Sequence, residues 1–169
     1  MTDELHKPRR SARLPRLAQI GLVVLAGLAG ATLWAHGDEP ATPAEQAVRY
    51  RHALYTAIGW NVGNVRAMLD GKQPYDTGRI VAAADHIAAL VPLLPEAFPA
   101  DSNLPGKSAA KPEVWTDWDD FAHRLSDLRA ASASFAGTAA HGDEKAVRTA
   151  FGELTQQCKG CHDRYKREH

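Results

Sequence analysis

At 169 residues the chain is long enough for one domain with a substantial core and too short for two of ordinary size. Its 20 Lys and Arg balance 20 Asp and Glu, so it lacks the excess positive charge of a nucleic-acid-binding surface, and nucleic acid is excluded as an expected partner. Alanine and leucine are abundant, β-branched runs are scarce and apolar residues recur at steps of three and four, which predicts an all-α fold.

The chain begins with a basic head, Lys7, Arg9, Arg10, Arg13 and Arg16, followed by the uncharged run LAQIGLVVLAGLAGATLW from Leu17 to Trp34. Residues 1–35 are expected to be a signal peptide or an N-terminal membrane anchor. The run is long for the apolar region of a signal and reaches the lower limit for spanning a bilayer. Small residues at Ala29-Gly30-Ala31 or around Ala35 offer a cleavage site, and both outcomes stay open. In either case the basic head remains cytoplasmic. The rest is then expected in the periplasm, soluble after cleavage or tethered to the inner membrane through residues 17–34. Five of the basic and two of the acidic residues lie in 1–35, so removal of that segment leaves fifteen against eighteen and a net charge of −3.

Residues 36–42 read as a polar linker, and residues 43–169 as the folded domain. Thr42-Pro43-Ala44-Glu45 combines a Thr cap, Pro at the first helical position and Glu at the third, the start of a first helix. That helix carries Val48, Arg51, Tyr55, Ile58, Val62, Val65 and Leu69 on one seam and stops at Asp70-Gly71. GKQPYD forms a turn. Asp76 or Thr77 caps a second helix with Ile80, Ala83, Ile87, Leu90 and Leu94 on one side, ended or distorted by Pro92 and Pro95. From Pro95 to Pro112 the chain reads as a long loop, whose length predicts a crossover rather than a tight hairpin. A third helix places Trp118, Phe121, Leu125, Leu128, Ser132 and Phe135 on one side and ends at His141-Gly142. Asp143 caps a fourth, with Val147, Phe151, Leu154, Cys158, Cys161, His162 and Tyr165 on one stripe. Four such helices bury their seams as an antiparallel four-helix bundle.

The only two cysteines stand in Cys158-Lys159-Gly160-Cys161-His162. On a helix these three side chains share a face, and the stripe predicts that the face points inward. Covalent haem attachment fits: each thiol adds to a vinyl group and the adjacent imidazole reaches the iron. A disulfide here would close a very small loop and contribute little. A redox pair would need a βαβ setting that the pattern lacks, and zinc would need a second cluster of ligands. For the sixth position of the iron the exported part offers Met68 and the histidines His36, His52, His86, His123, His141 and His169. Met68 lies beside the first seam and is expected to be packing or surface. His52, His86 and His123 flank their seams and are expected at the surface, so no sixth ligand is evident. Arg51, a cation on an apolar stripe, needs a partner. A haem propionate is favoured over water or an Asp or Glu at the helix edge. Tyr55, one turn further on, is placed to cover the distal side of the haem, a role compatible with that of a core tyrosine.

The stretches AVRYRHAL, GKQPYD, KPEVW and AFGELTQQCKGCHDRYK together resemble the cytochrome c′ family over most of residues 43–166. The resemblance implies a four-helix bundle with one covalent haem c near the C-terminus, often a homodimer through the first two helices. It further implies a high-spin, five-coordinate iron that binds nitric oxide and carbon monoxide, with a role in nitric oxide binding or protection. Carried over by position, Cys158 and Cys161 hold the haem, His162 is the proximal ligand, Arg51 contacts a propionate and Tyr55 occupies the distal site. Low-spin relatives place methionine where this chain has Tyr55. Lys166 stands where members often carry arginine, exchanging a planar fork for a flexible ammonium.

The favoured expectation is a non-enzymatic gas-binding haem protein, with Tyr55, Ile58, Val62, Trp115 and Phe121 crowding the distal face. The alternative is an electron carrier whose Lys159, Arg164, Lys166 and Arg167 steer an acidic redox partner, although these charges equally suit solvated last turns of a helix. An enzyme reducing nitric oxide or peroxide ranks last, for want of a distal proton-delivering pair of His and Arg.

Overall fold

The computed structural model describes residues 41–168, and the expectations for residues 1–35, for the linker as far as Pro40 and for His169 lie outside them. The first helix, α1 (Pro43–Leu69), starts at the reciprocal cap that its sequence encodes. Thr42 Oγ1 accepts from the Glu45 amide at 3.2 Å, and the Glu45 carboxylate accepts from the Thr42 amide at 3.1 Å. It ends at Asp70, and Gly71 takes the left-handed conformation (φ 72°) that turns the chain out of the helix. Asp76 Oδ1 then accepts from the Arg79 amide at 3.0 Å and opens α2 (Thr77–Leu90).

Val91–Ala97 continues as a 3-10 helix, so the loop begins later than Pro95. The two prolines do distort the helix: without N–H donors at Pro92 and Pro95 the i to i−4 ladder fails, and the chain tightens instead of stopping. A single turn, α3 (Glu113–Thr116), leads into α4 (Trp118–His141). Asp143 Oδ1 accepts from the Ala146 amide at 2.8 Å and starts α5 (Glu144–Tyr165).

The four long helices form an antiparallel bundle in which α1 packs on α2, α2 on α4 and α4 on α5. Because α2 and α4 are direct neighbours, the connection between them is not the predicted crossover. Its length goes into wrapping one end of the bundle. On the remaining side α1 and α5 scarcely approach each other. Far from that wrapped end, Arg148 of α5 joins the two by donating to the Leu69 carbonyl.

Val65, Ile80, Ile87, Leu94, Phe135 and Leu154 are all but inaccessible to solvent. Burying a side chain of this size contributes about 1.5–3 kcal/mol. Met68 belongs to this core as well. Trp118, expected on the buried side of its helix, is instead 37% exposed. It is the first residue of α4, and its ring tilts against Phe121 at 5.7 Å between centroids. Phe121 is the centre of the wrapped end, with Phe98 at 4.8 Å and Tyr165 at 5.1 Å. It thereby joins the loop, α4 and α5 through edge-on aromatic contacts.

Candidate functional site

The gap between α1 and α5 opens into a cavity of about 300 Å³ at the wrapped end of the bundle. Helix α1 contributes Arg51, His52 and Tyr55 to its wall, the loop contributes Phe98 and residues 108–110, and α5 contributes Cys161 and His162. Lys166, just beyond α5, and Phe121 complete the part that matters for chemistry. Cys158 and Cys161 are half-buried and pack against the core. His162, expected to point inward, is exposed. Cys158, Cys161 and Tyr165 of the stripe keep contact with the core, whereas His162 borders the cavity on the side where α1 stands away.

Burial governs the protonation of these groups. It pushes the Cys161 thiol up to about 11 and raises that of Cys158, so both are neutral thiols at neutral pH. Partial desolvation, ahead of the nearby Lys166 charge, lowers the His162 imidazole and favours the neutral ring that a metal requires. Tyr55 is half-buried and stacks edge-on against Phe98 at 6.4 Å. Burial raises its phenol, helped by the nearby thiols and opposed by Arg51, so it stays protonated.

Arg51 is only 3% exposed. Its Nε and Nη2 both donate to the Ala97 carbonyl at the end of the 3-10 helix, at 3.0 and 2.9 Å. Nη2 also donates to Ser102 Oγ at 2.8 Å and Nη1 to Ser108 Oγ at 3.1 Å. Phe98 and Trp115 lie 4.2 and 5.2 Å from the guanidinium carbon. Neither an Asp or Glu nor the surface provides its partners, so the disfavoured alternative, a helix-edge arginine, is not what forms. Desolvation lowers its proton affinity, yet an arginine remains charged.

The other candidates separate by position. Met68 lies thirteen residues beyond Tyr55 on the same helix, roughly 20 Å along its axis, and is sealed in the core. His86 Nδ1 lies 3.2 Å from Asn61 Oδ1, and His123 pairs with Asp127 at 3.2 Å. His141 ends α4. His52, expected simply at the surface, is exposed yet lines the cavity, which its spacing of three from Tyr55 could have revealed. Of the residues expected to crowd the distal face, Phe121 lines the cavity. Ile58 and Val62 pack in or against the core, and Trp115 donates its indole N–H to the Pro99 carbonyl at 3.0 Å. Lys159 and Arg164 are engaged in ion pairs with Asp163 and Asp117. Arg167 Nη1 donates to the Ser108 carbonyl at 3.1 Å.

Among the described residues no Asp or Glu lines this cavity, while Arg51 and Lys166 do, and the hydrogen-bond partners of Arg51 there are all neutral. Such a wall suits a group with anionic substituents, and two thiols beside a neutral imidazole suit covalent attachment of that group with ligation of its metal. These features fit a haem with its two propionates.

An antiparallel helix bundle with paired thiols and an imidazole beside a cavity between its first and last helices defines a bundle-type c haem protein. The chain belongs to the cytochrome c′ family, whose model, described as Cytochrome C', matches residues 46–166. Cytochrome c' of Allochromatium vinosum is 34% identical, over 86% of this chain and 92% of that protein. The structure of cytochrome c prime from Shewanella frigidimarina superimposes with a TM-score of 0.72 at 33% identity, covering 76% of this chain and all of that one. A nitric oxide complex of a leucine-to-alanine mutant of cytochrome c prime from Alcaligenes xylosoxidans superimposes with a TM-score of 0.70 at 28% identity, covering 77% and 100%. The cofactor of the family is covalently attached haem c with its iron, and this chain has the two cysteines that one such group requires.

Proposed function

We propose that the chain is a periplasmic haem protein that binds nitric oxide and carbon monoxide reversibly, without turnover, and serves in nitric oxide binding or protection. Cys158 and Cys161 would hold the haem by thioether bonds, and among the described residues His162 would be the one protein ligand to the iron. When bound, the haem supplies an iron able to take a diatomic ligand. The observation that carries this reading is the rest of the cavity wall. Met68, His86, His123 and His141 lie elsewhere, and the aromatic side chains Tyr55, Phe98 and Phe121 take the place of a second ligand. A protonated Tyr55 ligates metal poorly, and the rings admit a two-atom molecule while disfavouring larger anions. Arg51 is occupied and His52 is exposed, so neither is arranged for the proton delivery that turnover needs. The nitric oxide complex of the Alcaligenes xylosoxidans protein supports the choice of gas.

The basic head and apolar run support export, with residues 1–35 either removed or kept as an inner-membrane anchor. Trp60, 72% exposed on α1, supports a homodimer through α1 and α2.

A second reading, electron transfer to an acidic protein, draws on Lys111, Lys166 and Arg167, which outnumber Asp163 and Glu168 around a second hollow beside His162. One experiment separates the two. The absorption spectrum of the reduced protein is recorded before and after carbon monoxide, then nitric oxide. A broad high-spin spectrum that shifts with both gases is expected. A sharp low-spin spectrum indifferent to carbon monoxide would replace gas binding by electron transfer, with His52 the first residue to test as the second ligand.

A further inference from the structure

Four of the five N–H donors of Arg51 are taken by the Ala97 carbonyl, Ser102 and Ser108. Those acceptors do more than satisfy a charge. Ser102 is completely buried, and its hydroxyl passes the chain of bonds on to the Pro99 carbonyl at 2.7 Å. Ser108 Oγ also accepts from the Ala110 amide at 3.2 Å, which shapes the turn of chain that lines the cavity. The same stretch then grips the end of α5. The Lys111 amide donates to the Tyr165 carbonyl at 2.9 Å, and the Arg167 amide donates to the Ala109 carbonyl at 2.8 Å. Hydrogen bonds joined by short stretches of backbone therefore run from α1, through the loop, to the end of α5 that follows His162.

We propose that Arg51 is a positioning residue: as a clasp on Ala97, Ser102 and Ser108 it sets the loop that holds the His162 end of α5 against the cavity. This role rests on the reading of the cavity as the haem site, but not on which gas or partner the haem serves. It differs from a propionate contact, which needs only the positive charge. A lysine keeps that charge and cannot reproduce a fork directed at one carbonyl and two hydroxyls.

The test compares the parent protein with Arg51→Lys, Ser102→Ala, Ser108→Ala and the Arg51→Lys/Ser102→Ala pair. Hydrogen–deuterium exchange is followed at the Lys111 and Arg167 amides, with and without haem. The iron–histidine stretching frequency of the reduced haem-loaded protein is recorded in parallel. Arg51→Lys and Ser102→Ala are each expected to speed exchange at both amides by about tenfold or more, the scale of one lost hydrogen bond to a charged donor. The pair is expected to add little to the more affected single variant, and the frequency to move with the exchange. If Arg51→Lys fails to fold, the serine variants carry the test alone. Parent-like exchange and frequency in both serine variants would overturn the clasp, as would a fall in melting temperature with no movement of the frequency. Absence of a haem band in the parent would instead count against the haem site, while exchange in the apo form would still read the clasp.

Discussion

Tyr55 stands between the two sides of the site, with its ring against Phe98 and the thiols of α5 close enough to influence its phenol. If that ring limits entry to the iron, Tyr55→Ala is expected to raise the carbon monoxide association rate by about tenfold, equivalent to a barrier lower by roughly 1.4 kcal/mol. Tyr55→Phe keeps the ring and is expected to stay close to the parent. Stopped-flow mixing measures both, and an unchanged rate in the alanine variant would remove the steric role. At this scale the sequence was informative about kinds of residue and less so about partners. A cation on an apolar seam announces that Arg51 needs acceptors. Its actual acceptors, Ala97, Ser102 and Ser108, lie 46 to 57 positions away in a stretch with no periodicity to read. His52 is exposed, as its place off the seam implies, and its second position on the cavity wall escapes notice because a seam drawn one residue wide misses a side chain that borders an opening rather than a core.

The last turn of α5 is held by Tyr165, whose hydroxyl donates to Asp120 Oδ2 at 2.6 Å across to α4. Burial first, then this hydrogen bond, pushes its phenol up to about 12, above the usual tyrosine value of about 10. Between those values the folded chain keeps a proton that the unfolded chain has lost, so stability is complete below pH ~10 and falls as pH rises toward ~12. Tyr55 acts in the same direction. Tyr165→Phe is expected to flatten this alkaline decline, as measured by urea unfolding across a pH series, and an identical slope would dismiss Tyr165 as a contributor. Helix ends were the most legible elements, because Thr42, Asp76 and Asp143 act on amides only three residues away. The stretch after Pro92 is less legible. Proline reports the loss of a donor but not whether the chain then unwinds or tightens, and packing of Val91, Leu94 and Ala97 into the core decides for the tighter helix.

For the molecule as a whole, the exposed Trp60 is the side chain that the fold itself does not explain. Trp60→Glu is expected to convert the proposed dimer to a monomer in sedimentation velocity without altering the haem spectrum. A parent that is already monomeric would rule the dimer out. The bundle was legible from its four amphipathic seams, whereas the route of the long connection was not. Loop length suggested a crossover, yet the extra residues cover the end of the bundle. The sparse approach of α1 to α5 also bears on how the molecule is assembled. Three packed helix interfaces give the polypeptide its shape, and the fourth is where the proposed haem, a group that is not polypeptide at all, would sit. The residues proposed to hold the haem, Cys158, Cys161 and His162, lie in the last two turns of α5, and Cys161 and His162 line the open side. Chemistry at that seam therefore requires no dismantling of the other three, so shaping the protein and completing it are separable events.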